Sequence, residues 1–175
     1  MAKKVISMTL SQKSIQNAIK ELRSYQNSLE YKCRLLAEKL AEKGVEIARV
    51  QVADLDAVFT GELIQSIHSE YVGSVKGGAI FSVVADSSHA VFVEFGTGIV
   101  GQESPYPGKL PDGVTWEYAS GKTIRQLADG RYGWFYPKDG KWYFTEGMPS
   151  RPFMYYTANE LRDLIVETAK EVFTQ

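Results

Sequence analysis

The sequence predicts an α+β fold. Two observations carry this: a long amphipathic helix at one end of the chain with a second at the other, and between them a change of hydrophobic period from near 3.6 to near 2. The expected architecture is a long N-terminal helix and a C-terminal helix packed on a small antiparallel sheet, with an inserted aromatic β-hairpin. From Ser14 the apolar positions run Ile15, Ala18, Ile19, Leu22, Tyr25, Leu29, Cys33, Leu36 and Leu40, in steps of three and four that lay one stripe along a helix. Lys20, Glu21, Arg23, Glu30, Lys32, Arg34, Glu38, Lys39 and Glu42 occupy the other faces as a mixed, solvated surface. Gly44 is expected to end or kink this helix, with helical spacing resuming through Val45, Ile47, Ala48, Val52 and Leu55. The stripe suits packing on a sheet, and its heptad-like spacing also suits self-association.

Beyond Thr60 and Gly61 the pattern becomes extended. LIQSIHSEYVG, then GGAIFSVVAD after Gly77-Gly78, then HAVFVEF are read as three strands in a meander, with Glu94 projecting from the last. Residues 102–146 differ in texture: Pro105, Pro107 and Pro111 mark a loop, TIRQLAD reads as a short helical piece closed by Gly130, and Asp139-Gly140 between aromatic runs signals a tight hairpin. This segment holds 10 of the chain's 21 aromatics and all three tryptophans, so it either folds onto the sheet or contacts a partner. Pro149 and Pro152 precede a terminal helix whose stripe is Leu161, Leu164, Ile165, Ala169, Val172 and Phe173. The regions are thus 1–58 helical, 60–101 sheet meander, 102–146 loop and hairpin insertion, and 147–175 C-terminal helix, within one domain of 175 residues.

Composition narrows the function. Twenty Lys and Arg against 21 Asp and Glu give a net charge of −1, which offers a polyanion no global attraction. The single Cys33 makes no internal bridge and suits a reducing cytoplasm. The opening MAKKVISMTL is too short and polar for a signal peptide, and no apolar run approaches the roughly 20 residues that span a bilayer.

The motif-like strings argue against chemistry. Gly96-Thr-Gly98-Ile-Val-Gly101 matches GxGxxG, but the prolines after it oppose the helix that would hold a pyrophosphate, so a glycine turn is expected. Ser120-Gly121-Lys122-Thr123 resembles the end of a phosphate loop, yet Trp116 stands where its first glycine belongs, leaving a helix cap at Ser120 or Thr123. His68 and His89 with one cysteine give no ligand spacing for a metal, and Cys33 sits mid-stripe as a small apolar residue. Glu94 before a glycine turn suits a bond to a backbone amide or a basic neighbour better than acid catalysis. No catalytic residue, cofactor or metal is expected. Lys138, Lys141, Arg131 and Arg125 among aromatics leave a nucleic-acid-associated binding module as the alternative function, diluted by Asp129, Asp139 and Glu146.

Three landmarks carry a resemblance to a known family. They are TGELIQSI (Thr60 to Ile67), HAVFVEFGTG (His89 to Gly98) and SRPFMYYTANELRDLI (Ser150 to Ile165). In that order they resemble the TG-x-L-x-x-SI element, the "YVEYGT" signature and the Arg-Pro-Phe entry to the final helix. These mark the small tail-component, or neck, proteins of long-tailed bacteriophages and prophages, the family named after the tenth gene product of a lambda-like coliphage. Ala57, Val58 and Phe59 stand where the family often carries Pro-x-Asp.

The resemblance implies a structural α+β subunit of the head-tail junction, made in the host bacterial cytoplasm and incorporated into the virion. Its implied partners are copies of itself, as a ring-forming homo-oligomer, and the head-closure, connector or tail tube proteins, with no membrane. Thr60, Gly61, Glu94, Gly96, Gly98, Trp134, Tyr136, Trp142, Arg151, Pro152 and Phe153 are the candidate structural and interface residues. Arg151 is expected to anchor the Arg-Pro-Phe turn, to Glu94 or to a neighbouring protomer.

Overall fold

The computed structural model describes residues 5–57, 61–110, 112–118 and 124–174. Its order is α1 (Gln12–Asp54), α2 (Glu62–Ser66), β1 (Ile67–Val75), β2 (Gly78–Ala85), α3 (Ala90–Phe95), α4 (Gly98–Glu103), β3 (Arg125–Gln126), β4 (Tyr132–Lys138), β5 (Lys141–Thr145), β6 (Gly147–Met148) and α5 (Phe153–Thr174). The fold is α+β: long helices at both ends and antiparallel strands between them, in sheets of order β1-β2 and β3-β4-β5.

Four expectations are corrected. Helix α1 runs unbroken through Gly44. A Cβ at that position would stand 2.8 Å from Val83 Cγ2 and 2.9 Å from Leu161 Cδ1, so glycine serves close packing there rather than a helix end. The segment LIQSIHSEYVG divides into the helical turn α2 and the strand β1. HAVFVEF is the helix α3, so the meander has two strands: Ala90, Val93 and Glu94 face inward at helical spacing, and Gly96 closes the turn at φ 78° with its N–H on the Phe92 carbonyl. Within TIRQLAD, residues Arg125–Gln126 form strand β3 opposite Gly133 and Tyr132.

The hairpin stands as its turn signal predicts. Asp139 (φ 51°) and Gly140 (φ 73°) are both left-handed, as a type I′ turn requires. They join β4 to β5 in a register that sets Phe135 opposite Phe144 and Tyr136 opposite Tyr143.

The chain groups into two compact units. Unit 1 comprises residues 1–45, 69–83 and 161–175, and unit 2 comprises 46–68 and 84–160. In unit 1 the close approach of Gly44 to Val83 and Leu161 joins α1, β2 and α5. Lys43 reinforces it by donating to Thr168 Oγ1 at 3.1 Å and pairing with Glu171 at 3.3 Å. Arg34 stacks over the Tyr71 ring, which meets Phe81 edge-on. In unit 2 the buried apolar residues include Ala48, Val52, Leu63, Ile67, Val93 and Phe153, and Arg49 donates to the Ile67 carbonyl at 2.8 Å. Among the described residues no helix is long and apolar enough to cross a membrane.

Candidate functional site

Unit 2 contains two connected features, a carboxylate-capped crossing and the aromatic hairpin. Helix α5 begins after Pro152, which has neither a side-chain acceptor nor an N–H, so the first turn lacks a cap of its own. Glu94 supplies it from 60 residues upstream: its Oε2 accepts the Met154 N–H at 2.9 Å and its Oε1 accepts the Tyr155 N–H at 3.1 Å. Only 7% of Glu94 is exposed, so it turns inward rather than projecting. Burial pushes its pKa up from the ordinary carboxylate value, against the two amide bonds that favour the ionised form. The nearby Tyr106 hydroxyl is also pushed up, by burial first and by the Glu94 charge second.

The chain around Glu94 is fastened on several sides. Ser150 Oγ donates to the Glu94 carbonyl at 2.6 Å, the Arg151 N–H donates to the Val93 carbonyl at 2.8 Å, and Trp116 Nε1 donates to the Gly96 carbonyl at 3.0 Å. Phe95 packs between Tyr106 and Trp116, with ring centroids 4.8 and 5.1 Å away. Tyr106 in turn meets Tyr155 edge-on at 5.6 Å.

Beside this cluster, Thr97 and Gly98 bridge antiparallel to Met148 and Gly147 of β6. The two backbones touch so closely that a Cβ on Gly147 would collide with the Thr97 carbonyl, and one on Gly98 with the Glu146 carbonyl and the Trp134 ring. A Cβ on Gly96 would stand 2.6 Å from the Ser150 nitrogen. Glycine at 96 and 98 therefore admits this chain's own residues 146–150, not a neighbour's backbone.

The GxGxxG string does open a helix, α4, contrary to the proline argument, but α4 has only six residues and stops before Pro105. Its Gly98 N–H is given to the Tyr118 carbonyl and its Val100 N–H to the Glu146 carbonyl. Those donors are already occupied by the protein itself, which leaves them unsuited to a phosphate.

Arg151 does not pair with Glu94. Its Nε donates to the Leu55 carbonyl at 3.0 Å, just past the end of α1, where a cation also complements the helix dipole. Glu94, Gly96, Arg151, Pro152 and Phe153 thus gather at the start of α5, and Trp134 joins them through Gly98. Gly61, at φ 78°, precedes α2, and Tyr136 and Trp142 lie out on the hairpin. Thr60 and the candidate cap residues Ser120 and Thr123 lie outside the described residues. Sequence reasoning missed Trp116, Ser150 and Gly147. The turn-rich string Glu146-Gly-Met-Pro149 was the available signal for the last.

The hairpin exposes aromatics on both of its faces. Phe135 and Phe144 share one face with Pro137 and Trp142, while Tyr136 and Tyr143 share the other. Trp142 is 69% exposed, and Phe135, Tyr136 and Tyr143 remain about half in solvent. A groove of about 650 Å³ is lined by Arg125, Gln126 and Leu127 together with Trp134, Phe135 and Trp142. Arg131 stacks over Phe144 and pairs with Asp129 at 2.8 Å, and that pairing holds the Asp129 carboxyl below its usual value.

No family model, no curated protein and no solved structure matches the chain. The arrangement itself supplies the chemical reading. Among the described residues no three His, Cys, Asp or Glu side chains come together as metal ligands. The buried carboxylate spends both oxygens on backbone amides, so its work is to hold the start of α5 against the 93–98 segment.

Proposed function

We propose that the chain is a structural subunit of the head-tail junction of a long-tailed phage or prophage. It works by assembly with copies of itself and by contact with connector and tail proteins, with no bond made or broken. The observation that carries this reading is the β4–β5 hairpin, which leaves Trp142, Phe135, Tyr136 and Tyr143 largely in solvent on two faces. Exposed aromatics clustered on a rigid element are what interface centres use. The three sequence landmarks support it further, because two of them, His89–Gly98 and Ser150–Ile165, meet at Glu94 in the fold.

The nucleic-acid alternative draws less support. Arg131 is engaged with Asp129 and Phe144, which leaves less of the hairpin's positive charge for phosphates.

The test is assembly of the full chain. Light scattering behind gel filtration should give a multiple of 19.6 kDa, and the protein should co-elute with connector or tail tube subunits encoded in the same gene cluster. A protein that stays monomeric at high concentration and joins neither subunit refutes the reading. Tight, steeply salt-dependent retention of DNA on filters would favour the alternative instead.

A further inference from the structure

We infer that the groove on the β3-β4-β5 sheet binds a proline-rich segment of another protein, taken in polyproline II form with a carboxylate beside its prolines. This rests on the reading of the hairpin as a partner surface and names the chemistry of the partner.

Strand alternation sets Arg125, which stands opposite Gly133, on the same face of the sheet as Phe135 and Trp142. Phe135 pairs with Phe144, two residues past Trp142, so Phe135 and Trp142 are diagonal neighbours across β4 and β5. Diagonal positions stand about 7–8 Å apart, which leaves one small ring room to touch both side chains. Both rings are open to solvent, and with Trp134 and Leu127 they give the groove its apolar surface. A volume of about 650 Å³ and a mostly apolar lining with a few polar groups suit a ligand site.

The polar groups of the lining name what it takes. The side chains of Arg125, Trp134 and Trp142 can only donate hydrogen bonds, Gln126 adds an amide with one acceptor oxygen, and no acidic residue lines the groove. None of these four side chains has a hydrogen-bond or ion-pair partner among the described residues. The indole N–H of Trp116, by contrast, is already given to the Gly96 carbonyl. A wall of donors fits a ligand rich in acceptors and poor in donors. A proline-rich chain has that character: each proline offers a carbonyl and no N–H, and its ring suits an aromatic slot. Its polyproline II backbone is extended before binding and forfeits little entropy. One unpaired guanidinium calls for one anion, which a carboxylate beside the prolines supplies to the Arg125 fork. A single-stranded nucleic acid brings a phosphate with every base, and the neighbouring cation, Arg131, is spent on Asp129. A saccharide brings hydroxyls that donate as well as accept, and Gln126 holds the lining's one side-chain acceptor.

Fluorine NMR of the full chain labelled with fluorotryptophan tests this, with circular dichroism to confirm that each variant folds. The probes are a set of short proline-rich peptides with a glutamate placed before, within or after the prolines. Controls replace proline by serine or glutamate by glutamine, and oligothymidylate and maltohexaose stand for the other ligand classes. At least one glutamate-bearing proline peptide should bind saturably and move the Trp134 and Trp142 resonances while Trp116 stays in place. Trp142→Ser should weaken that binding by about tenfold or more. Arg125→Gln should weaken it about threefold and leave the glutamine peptide unaffected. Failure of the whole proline set, equal binding of the serine peptide, or indifference to Arg125→Gln overturns the site, while the assembly reading stands if the chain still forms oligomers or joins tail subunits. Oligothymidylate that moves Trp142 and is released by salt, or maltohexaose that moves it, with no response to peptide, overturns it in favour of that ligand. A chain that binds no peptide and assembles with nothing removes both readings.

Discussion

Replacing Glu94 probes the crossing most directly. In Glu94→Ala the Met154 and Tyr155 N–H groups lose both acceptors in a site too buried for water to replace them freely. Each buried donor left unpaired costs about 1–3 kcal/mol, and the relief of an unfavourably desolvated carboxylate returns part of that, leaving about 2–4 kcal/mol. For a chain of this length the loss corresponds to a fall in Tm of about 5–15 °C by circular dichroism. The pH dependence carries a definite sign. Because burial raises the Glu94 pKa in the folded state, protonation favours folding at this site. Its contribution is fully present below the ordinary value of 4.5 and is lost as pH rises through the raised folded value. The stability difference between wild type and Glu94→Gln should therefore be larger near pH 4.5 than at pH 7. A difference that grows with pH would mean the amides and helix dipole outweigh burial, and a Glu94→Ala cost below about 1 kcal/mol would mean α5 does not need this cap.

Other positions give sharper contrasts. Gly147→Ala places a Cβ against the Thr97 carbonyl at φ 106° and should abolish soluble expression, while Gly130→Ala, at φ 88° with open space around it, should cost only about 1 kcal/mol in chemical denaturation. Arg151→Met removes the donor to the Leu55 carbonyl and should cost about 1–2 kcal/mol, with little change in the Glu94 pH response, since the two side chains do not pair. Trp142→Ser should leave Tm within about 2 °C of wild type, because the ring is mostly in solvent, yet weaken association with tail or connector subunits by tenfold or more, as expected for an interface anchor.

What was legible in the sequence was local. The long helices follow from stripes sustained over many turns, and the hairpin from Asp139-Gly140, whose turn type the backbone adopts. The misread segments are those where neighbours outvoted propensity. Val91, Phe92, Val93 and Phe95 favour a strand individually, but the segment forms the six-residue helix α3, which turns Ala90, Val93 and Glu94 inward together. Arg125–Gln126 pairs as a strand because the short turn at 127–131 returns the chain onto Tyr132 and Gly133. Glu94 shows the boundary well. Its attachment to backbone amides was one of the options its setting suggested, but those amides belong to Met154 and Tyr155, and nothing local marks a partner 60 residues away.

The crossing and the exposed surfaces divide the labour of the chain. Around Glu94, bonds from Ser150, Arg151, Trp116, Met154 and Tyr155 converge on residues 93–96, and three glycines are held to a backbone-to-backbone approach that admits no side chain. Such a site tolerates almost no change of shape, which fits it to fix directions and makes it a poor surface for a partner to remodel. The hairpin is built oppositely, on regular strands whose aromatic side chains remain largely in solvent. Because β5 leads directly into Glu146 and β6, the hairpin is anchored at the crossing, so its aromatic faces are presented in a fixed direction. A partner that docks there meets a preorganised ribbon, and most of the ordering entropy that a flexible loop would forfeit on binding has already been lost in folding.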